Sequence, residues 1–401
     1  MKKKSIGLLP RIVIAMALGI GAGYLFPSWL ARCFVTFNGI FSQYLGFIIP
    51  LLIVGFVAAA IAELGKKAGK LLIFTCALAY AFTLLSGIVS YSTGAWLFPS
   101  MIEPGLALGD GEAAANLAPY FTVSITPLMG VLTALVLAFV MGLGTAQVGN
   151  SALLRGLNGF RDVIAWVINS SIIPLLPLYI FGIFLDMTIT GQVGGILLTF
   201  VKIIAVIFVL HVLILVVQYS IACIVTKQNP IKCLLTMLPA YFTALGTASS
   251  AATIPVTLKR ATMLGVDQEI AGFTVPLCAT IHMSGSTLKI VACALALMIA
   301  QGMPYDFPMF MGFIAMLGIS IIAAPGVPGG AIMASLGILA TMLGFSEADL
   351  ALMIALYIAM DSFGTACNVT GDGAISMIVN AAFNKGLRKR NLVLESTETL
   401  A

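Results

Sequence analysis

Two aspartates stand in a strongly apolar stretch near the C-terminus, at positions 361 and 372. With about 3.6 residues per helical turn, one helix face would carry Asp361, Gly364, Thr365, Asn368 and Asp372. A charged side chain is costly inside a membrane, and acids that persist there usually mark the path of an ion or a substrate. The alternative is that each aspartate only bonds a neighbouring hydroxyl or amide. The pattern favours a site that binds an ion or a small charged molecule.

The composition indicates the environment in which such a site works. The chain has 401 residues, of which 60% are hydrophobic and 9% are charged, and its mean hydropathy is +1.10. These values exclude an ordinary soluble domain and predict an all-α polytopic membrane protein, with the lipid bilayer as its partner. The seven cysteines show no CxxC spacing, which is typical of small buried side chains. The net charge of +5 does not indicate a nucleic-acid partner, because the basic residues lie in short loops between apolar segments.

The connecting loops predict how the chain crosses the membrane. Six apolar segments are long enough to span, at about 8–26, 34–62, 70–98, 125–147, 163–185 and 193–225. Most lysines and arginines fall on one side of these spans, and by the positive-inside rule both termini are cytoplasmic. The basic N-terminus begins the first helix rather than a signal peptide, because no cleavage site precedes Pro27. The short loops fit a multi-pass protein of a bacterial inner membrane.

Two later segments do not fit a single crossing. Segment 234–258 begins and ends beside cytoplasmic lysines, yet a polar stretch interrupts it at 246–255. Segment 308–345 is too long for one span, is broken at 323–330 and has acidic loops at both ends. Two ordinary spans kinked by Pro and Gly are one interpretation, but the charges favour two re-entrant hairpins. Each hairpin precedes a predicted full span, at 270–300 and 348–378, which makes an inverted repeat around a mid-membrane site.

Three motifs resemble those of the dicarboxylate/amino acid:cation symporter family, the glutamate-transporter homologues. They read TASSAATIPVT at 247–257, PLCATIHMSGS at 276–286 and DSFGTACNVTGD at 361–372, with GVPG at 326–329 as the second hairpin tip. The resemblance covers essentially the whole chain. It implies eight transmembrane helices, two re-entrant hairpins, a homotrimer and a transport domain that moves as an elevator. Residues 1–232 would be mainly scaffold, with the third and sixth spans contributing to the transport domain, 233–380 the transport core and 381–401 a cytoplasmic tail.

The resemblance also implies roles for individual residues. Asp361 matches an acid that binds a substrate ammonium, Asn368 an amide that holds an α-carboxylate, and Thr365 a nearby hydroxyl. Helix N-termini at the hairpin tips present free N–H groups, which suit a carboxylate. The implied substrate-binding set is Ser249, Ser250, Ser286, Val327, Gly329, Asp361, Gly364, Thr365 and Asn368.

One departure from the family pattern bears on the substrate. Acidic-amino-acid members carry an arginine where this chain has Gly364, and no other arginine in this half lies in the membrane to replace it. A second substrate carboxylate would be buried without a partner, at a cost of several kcal/mol. Plain dicarboxylates have no amine and would not need Asp361. We therefore expect a secondary active transporter for a small neutral amino acid such as serine, threonine or alanine, with no enzymatic activity and no cofactor.

Sodium is the coupling ion that the resemblance implies, because hard cations prefer oxygen ligands. One ligand set combines the Asp372 carboxylate with the carbonyls of Cys278, His282 and Asn368. Another combines the carbonyls of Thr280, Ile321, Ile322 and Ala324. A third family site is expected to be lost, because its motif reads His282-Met283-Ser284 and the third span offers Thr75, Leu78 and Ala79.

His282 and Lys289 stand one heptad apart, on the same face of a predicted helix. His282 is either a hydrogen-bonded core imidazole or, when protonated, a replacement for a missing cation. Lys289 either snorkels or pairs with an acid, or it serves as such a replacement. The second interpretation leads to the alternative function, a proton-coupled or reduced-stoichiometry carrier of another amino acid or a carboxylate.

Two other classes of function are less well supported by the sequence. An intramembrane aspartyl protease needs two membrane aspartates, but Asp306 follows Pro304 in an external loop and Asp372 lacks the usual preceding glycine context. A channel is the second class, but broken helices around a closed midplane site favour a carrier. No nucleotide-binding loop or HExxH motif occurs in the sequence, which argues against a pump or a metalloenzyme.

Overall fold

The computed structural model describes residues 8–64, 70–102, 117–191, 193–322 and 329–398. Every regular element in these ranges is helical, as the sequence predicted. One turn, Ile168–Ile172, is π-helical, and a short 3₁₀ turn lies at Phe98–Ser100. The helices are α1 (Leu8–Leu25), α2 (Ser28–Leu64), α3 (Lys70–Leu97), α4 (Val131–Val148), α5 (Ser151–Val167), α6 (Ile173–Ile189), α7 (Val193–Thr226), α8 (Pro230–Thr247), α9 (Ser250–Met263), α10 (Gln268–Ile281), α11 (Ser284–Ala300), α12 (Phe307–Ile322), α13 (Gly330–Leu343), α14 (Glu347–Ala359) and α15 (Asp361–Glu398).

Several of these helices are long and apolar enough to cross a membrane. Within the described ranges there are five such stretches, and a sixth if α14 and α15 count as one bent span. The five are Ser28–Ala59, Lys70–Ser100, Ser151–Ile189, Phe200–Thr226 and Gln268–Ala300. They support a multi-pass membrane protein, whereas the count of eight spans stays a prediction.

Helices α8 and α9 form the first hairpin. The side-chain amide of Gln228, just before α8, donates to the Leu264 carbonyl, just after α9 (3.2 Å). The start of α8 therefore lies beside the end of α9. At the tip, Ala248 has the left-handed conformation (φ 49°) that stops α8, and the Ser249 hydroxyl caps α9 by accepting from the Ala252 N–H (3.2 Å). The interruption expected at 246–255 is therefore a sharp reversal between two short helices.

Helices α12 and α13 form a second hairpin of the same kind. Gly312 of α12 lies opposite Met342 of α13, and nearer the tip the Ser320 hydroxyl donates to the Ala334 carbonyl (2.8 Å). The tip itself, at 323–328, lies outside the described residues. That the two hairpins enter the membrane from opposite faces stays a prediction.

The full span expected at 270–300 is found as the apolar stretch Gln268–Ala300, which is long enough to cross a membrane. Both this stretch and the one expected at 348–378 are interrupted, however, which the sequence did not predict. The first divides into α10 and α11 at His282–Met283. The second bends by 62° between α14 and α15, at Met360. Neither break has a proline beside it, so its cause lies in the tertiary contacts described below. The chain therefore repeats one order, a hairpin followed by a broken helix.

Helix α15 lies at the centre of this second half. It packs against α7, α8, α9, α10, α11 and α3, and α3 and α7 also pack on α11. Helices α1, α2, α4, α5 and α6 pack mainly on one another, with fewer contacts to α12–α14. The predicted division into a scaffold and a transport core that includes the third and sixth spans is consistent with this packing and stays a prediction.

Candidate functional site

A cavity of about 100 Å³ lies where the hairpins and both broken helices meet. Two helix N-termini border it, that of α9 at Ser249 and Ser250 and that of α13 at Gly330. Such ends present free backbone N–H groups and partial positive charge, and they suit an anionic group. The structure thus brings together most of the predicted substrate-binding residues, although they come from three elements, α9, α11 and α15. The cavity is lined by Ala248, Ser249, Ser250, Ala251, Ala279, Thr280, Met283, Ser286, Gly330, Ala331, Tyr357, Asp361, Thr365 and Asn368.

Asp361 is the one charged residue among those lining the cavity. It begins α15, where the helix dipole favours a negative charge. Its Oδ2 accepts the N–H of Gly329 (2.9 Å), which ties the second hairpin to α15. Gly329 has φ of 79°, a conformation that glycine adopts without strain, and it directs its N–H towards the carboxylate.

Lys289 of α11 is fully buried and pairs with this aspartate. Its Nζ lies 3.1 Å from Oδ1 of Asp361, and 3.4 Å from the carbonyls of Tyr357 and Met360. These carbonyls end α14, so the ammonium occupies the negative end of that helix. It also lies 3.4 Å from the Tyr357 ring centroid, in a cation–π contact. A side chain inserted at a helix end accounts for the bend at Met360.

Gly364 provides the space that Lys289 occupies. A Cβ at this position would lie 2.8 Å from Nζ and 2.9 Å from Cε of the lysine. Gly364 does not line the cavity, so the missing side chain does not enlarge the space for a substrate. The absence of a side chain here instead allows a cation to reach Asp361 from α11.

The side-chain amide of Asn368 binds the start of α11. Its Oδ1 accepts the N–H groups of Gly285 (2.7 Å) and Ser286 (3.4 Å), and its Nδ2 donates to the Ser286 hydroxyl (3.2 Å). The amide of α15 therefore caps another helix across the break. Asn368 lines the cavity as expected, but its amide is already bonded to protein groups.

Asp372, three turns along α15 from Asp361, pairs with His282. Nδ1 of the imidazole lies 2.9 Å from Oδ1 of Asp372 and 3.1 Å from the Asn368 carbonyl. The carbonyl can only accept, so Nδ1 carries the hydrogen. The His282 side chain is completely buried, and Asp372 is nearly so. Both predicted cation surrogates therefore contact an aspartate of α15.

The second predicted sodium set is placed only in part. Thr280 lines the cavity, and α10 packs on α12, whose last residues are Ile321 and Ile322. Ala324, like the substrate-binding Val327, lies outside the described residues. Among the described residues no group of three or more His, Cys, Asp and Glu side chains could hold a metal ion.

The third span contributes different residues from those named for the third cation site. Ser86 shares a hydrogen bond with Ser284, and the Thr83 hydroxyl accepts the Met283 N–H (3.4 Å). Thr75 instead bonds within α3, to the Leu71 carbonyl. The α3 residues that contact 283–284 therefore lie one to two turns after Ala79, and they present hydroxyl groups.

Tyr357 is a site residue that the sequence analysis missed. Its hydroxyl shares a hydrogen bond with Ser286 (3.0 Å), its ring lies against the Lys289 ammonium, and the residue lines the cavity. A signal was present, because tyrosine in an apolar segment usually finds a polar partner. A tyrosine four residues before a buried aspartate could have been included.

A larger cavity of about 380 Å³ lies between α2, α6 and the start of α14. Among the residues lining it are Asn38, Tyr179, Asp186 and Glu347. It contains none of the residues of the three motifs, and the smaller cavity remains the candidate substrate site.

Helices that are interrupted beside a shared cavity are typical of the substrate sites of secondary transporters. The model of the sodium:dicarboxylate symporter family matches residues 8–382. This range includes both hairpins, both helix breaks and all residues of the cavity. The chain belongs to the sodium:dicarboxylate symporter family, and it is a membrane transporter rather than an enzyme.

Proposed function

We propose that this transporter takes up a small neutral amino acid, such as serine, threonine or alanine, coupled to sodium. The observation that carries the proposal is the Asp361–Lys289 pair at the edge of a cavity bordered by two helix N-termini. A carboxylate has about four acceptor positions, so Asp361 retains acceptor capacity for a substrate ammonium. The substrate carboxylate would then face the N–H groups of α9 or α13.

Charge balance favours a zwitterion over a dianion. Lys289 neutralises Asp361, and its ammonium lies behind the aspartate rather than among the residues that line the cavity. A zwitterion adds no net charge to this pair. A second carboxylate could gain a cationic partner only if Lys289 left Asp361, which would leave the aspartate buried and unpaired.

The size of the cavity also favours a small substrate. Its volume of about 100 Å³ is well below the roughly 300–1,000 Å³ of pockets for drug-sized ligands. Hydroxyl groups of Ser249, Ser286 and Thr365 lie near it, and they are suitable partners for a substrate hydroxyl.

The proposed assembly and coupling follow the family. We expect a homotrimer in a bacterial inner membrane, with both termini cytoplasmic, in which the half built around α15 moves against α1, α2 and α4–α6. Sodium would bind through the carbonyl set of Thr280, Ile321, Ile322 and Ala324. These expectations rest on the resemblance and on the packing of the helices.

Uptake of labelled amino acids into proteoliposomes tests the proposal. Serine, threonine, alanine, aspartate and succinate should be compared with and without an inward sodium gradient. We expect sodium-driven accumulation of at least one neutral amino acid, and competition by neutral amino acids that exceeds that of aspartate or succinate. Stronger competition by aspartate or succinate would contradict the proposed substrate class.

A second candidate function is a carrier of a carboxylate substrate, in which Lys289 acts as the binding cation. The buried ammonium beside the cavity is the observation that favours it. Accumulation of succinate driven by a proton gradient, without sodium, would support this candidate.

A further inference from the structure

The ligand set implied for sodium at Asp372 is already engaged by a side chain of this protein. Nδ1 of His282 lies between the Asp372 carboxylate (2.9 Å) and the Asn368 carbonyl (3.1 Å). A second carbonyl of the set, at Cys278, accepts the His282 backbone N–H (2.9 Å). A sodium ion at this position would need the same oxygens, so these residues do not fit a bound ion while the imidazole is in place.

The imidazole is held in this position by its surroundings. His282 follows α10 in an extended conformation at the helix break, which directs its side chain towards α15. A Cβ on Gly371 would lie 2.5 Å from Cε1 of His282 and 2.5 Å from Oε1 of Gln218. The Phe82 ring lies 6.4 Å away, centroid to centroid. The ring is therefore enclosed between α3, α7 and α15, and any other residue at position 371 would press on it.

The hydrogen bond from His282 also supplies a donor to the buried Asp372 carboxylate. A buried carboxylate without a cation or a donor is strongly unfavourable. Nδ1–H donates to it in the position that a coupling ion would otherwise take. The contact requires only that Nδ1 carries its hydrogen, as the neighbouring Asn368 carbonyl demands.

We propose that the His282 side chain replaces a sodium ion at Asp372. The carrier then couples to one sodium ion fewer than its two ligand sets would allow, and His282 is a specificity-determining residue for coupling. The inference deepens the proposed sodium-coupled function and rests on it. It concerns the ligand set at Asp372, however, and not the amino acid that is carried.

Equilibrium binding of radioactive sodium to the purified full-length protein, without amino acid, tests the inference. We expect wild type and Asp372→Asn to bind the same number of ions, because Asp372 holds none. His282→Asn should bind one more ion per chain, and His282→Asn/Asp372→Asn should lose it again. The chain offers a matched control in its other buried histidine, His211, which bonds the Gly285 carbonyl (3.2 Å). His211→Asn should leave the sodium count unchanged.

Thermal unfolding supplies a second measurement, since an ion that binds only the folded state raises its stability. Sodium, compared with potassium, should raise the melting temperature of His282→Asn more than that of wild type. A loss of one bound ion on Asp372→Asn in the wild-type background would overturn the proposal, and so would the absence of a gain in folded His282→Asn. Should His282→Asn not fold, the comparison of wild type with Asp372→Asn decides alone. Failure of neutral amino-acid uptake would affect the proposed substrate but not these ion counts.

Discussion

Nζ of Lys289 lies 3.1 Å from Oδ1 of Asp361, in space left open by Gly364. Two helices that are far apart in sequence thus share one neutral pair beside the cavity. Removing one partner of a buried ion pair leaves the other charge unpaired, which is strongly destabilising. The loss of stability in such a variant is therefore larger than the net contribution of the pair. The main consequence of the pair is that Lys289 neutralises the charge of Asp361 beside the cavity.

Lys289→Met should destabilise the protein and alter transport. Removing one partner of a buried ion pair costs about 3–5 kcal/mol, because the other charge is left unpaired. Thermal unfolding should show a lowered melting temperature, and uptake of neutral amino acid should fall. The double variant Lys289→Met/Asp361→Asn should regain much of the stability but not the uptake. If Lys289→Met transported with the same sodium and pH dependence as wild type, Lys289 would have no role as a cation surrogate.

Gly364→Ala should reduce uptake by displacing the lysine. The new Cβ would lie 2.8 Å from Nζ of Lys289, so the ammonium must move away from Asp361. Gly272→Ala is the matched control, since a Cβ there meets nothing within 4 Å and alanine favours a helix by roughly 0.5–1 kcal/mol. Uptake equal in the two variants would show that the position of the ammonium does not matter for transport.

Asp361→Asn should abolish the proposed contact with the substrate ammonium. We expect at least a tenfold loss of apparent affinity for a neutral amino acid, equivalent to about 1.4 kcal/mol. The exposed acid Glu347 provides a control, and Glu347→Gln should leave affinity close to that of wild type. Competition of labelled substrate uptake over a range of concentrations measures the change. An unaltered affinity in Asp361→Asn would show that the substrate ammonium binds elsewhere.

Gly329→Ala and Gly344→Ala separate backbone strain from function. Both glycines are left-handed, with φ of 79° and 71°, one before α13 and one after it. Alanine in this conformation costs about 1–2 kcal/mol, so both variants should lose similar stability in thermal unfolding. Only Gly329 donates to Asp361 (2.9 Å), so we expect only its variant to weaken substrate binding. Equal loss of binding in both variants would indicate a general effect of stability.

The sequence by itself determined the class of protein and the location of its unusual segments. Apolar runs with basic residues at their ends predict membrane helices, and this depends only on composition and order. Polar and glycine-rich interruptions at 246–255 and 323–330 predicted two hairpins. The hairpin returns of both helix pairs, including the cap at Ser249, follow from such local signals. The periodicity from Asp361 to Asp372 likewise placed both aspartates on one helix.

The tertiary structure decided which groups these aspartates meet. Lys289 and Asp361 are 72 residues apart, and His282 and Asp372 are 90 apart, so no local periodicity links them. The breaks at His282–Met283 and Met360 were not predicted, because each is stabilised by a distant side chain, Asn368 in one case and Lys289 in the other. Helix propensity is a local property, whereas the partner of a buried charge depends on how helices pack. The sequence therefore predicted where charges are buried, and only the packing showed that each aspartate has a basic partner within the same chain.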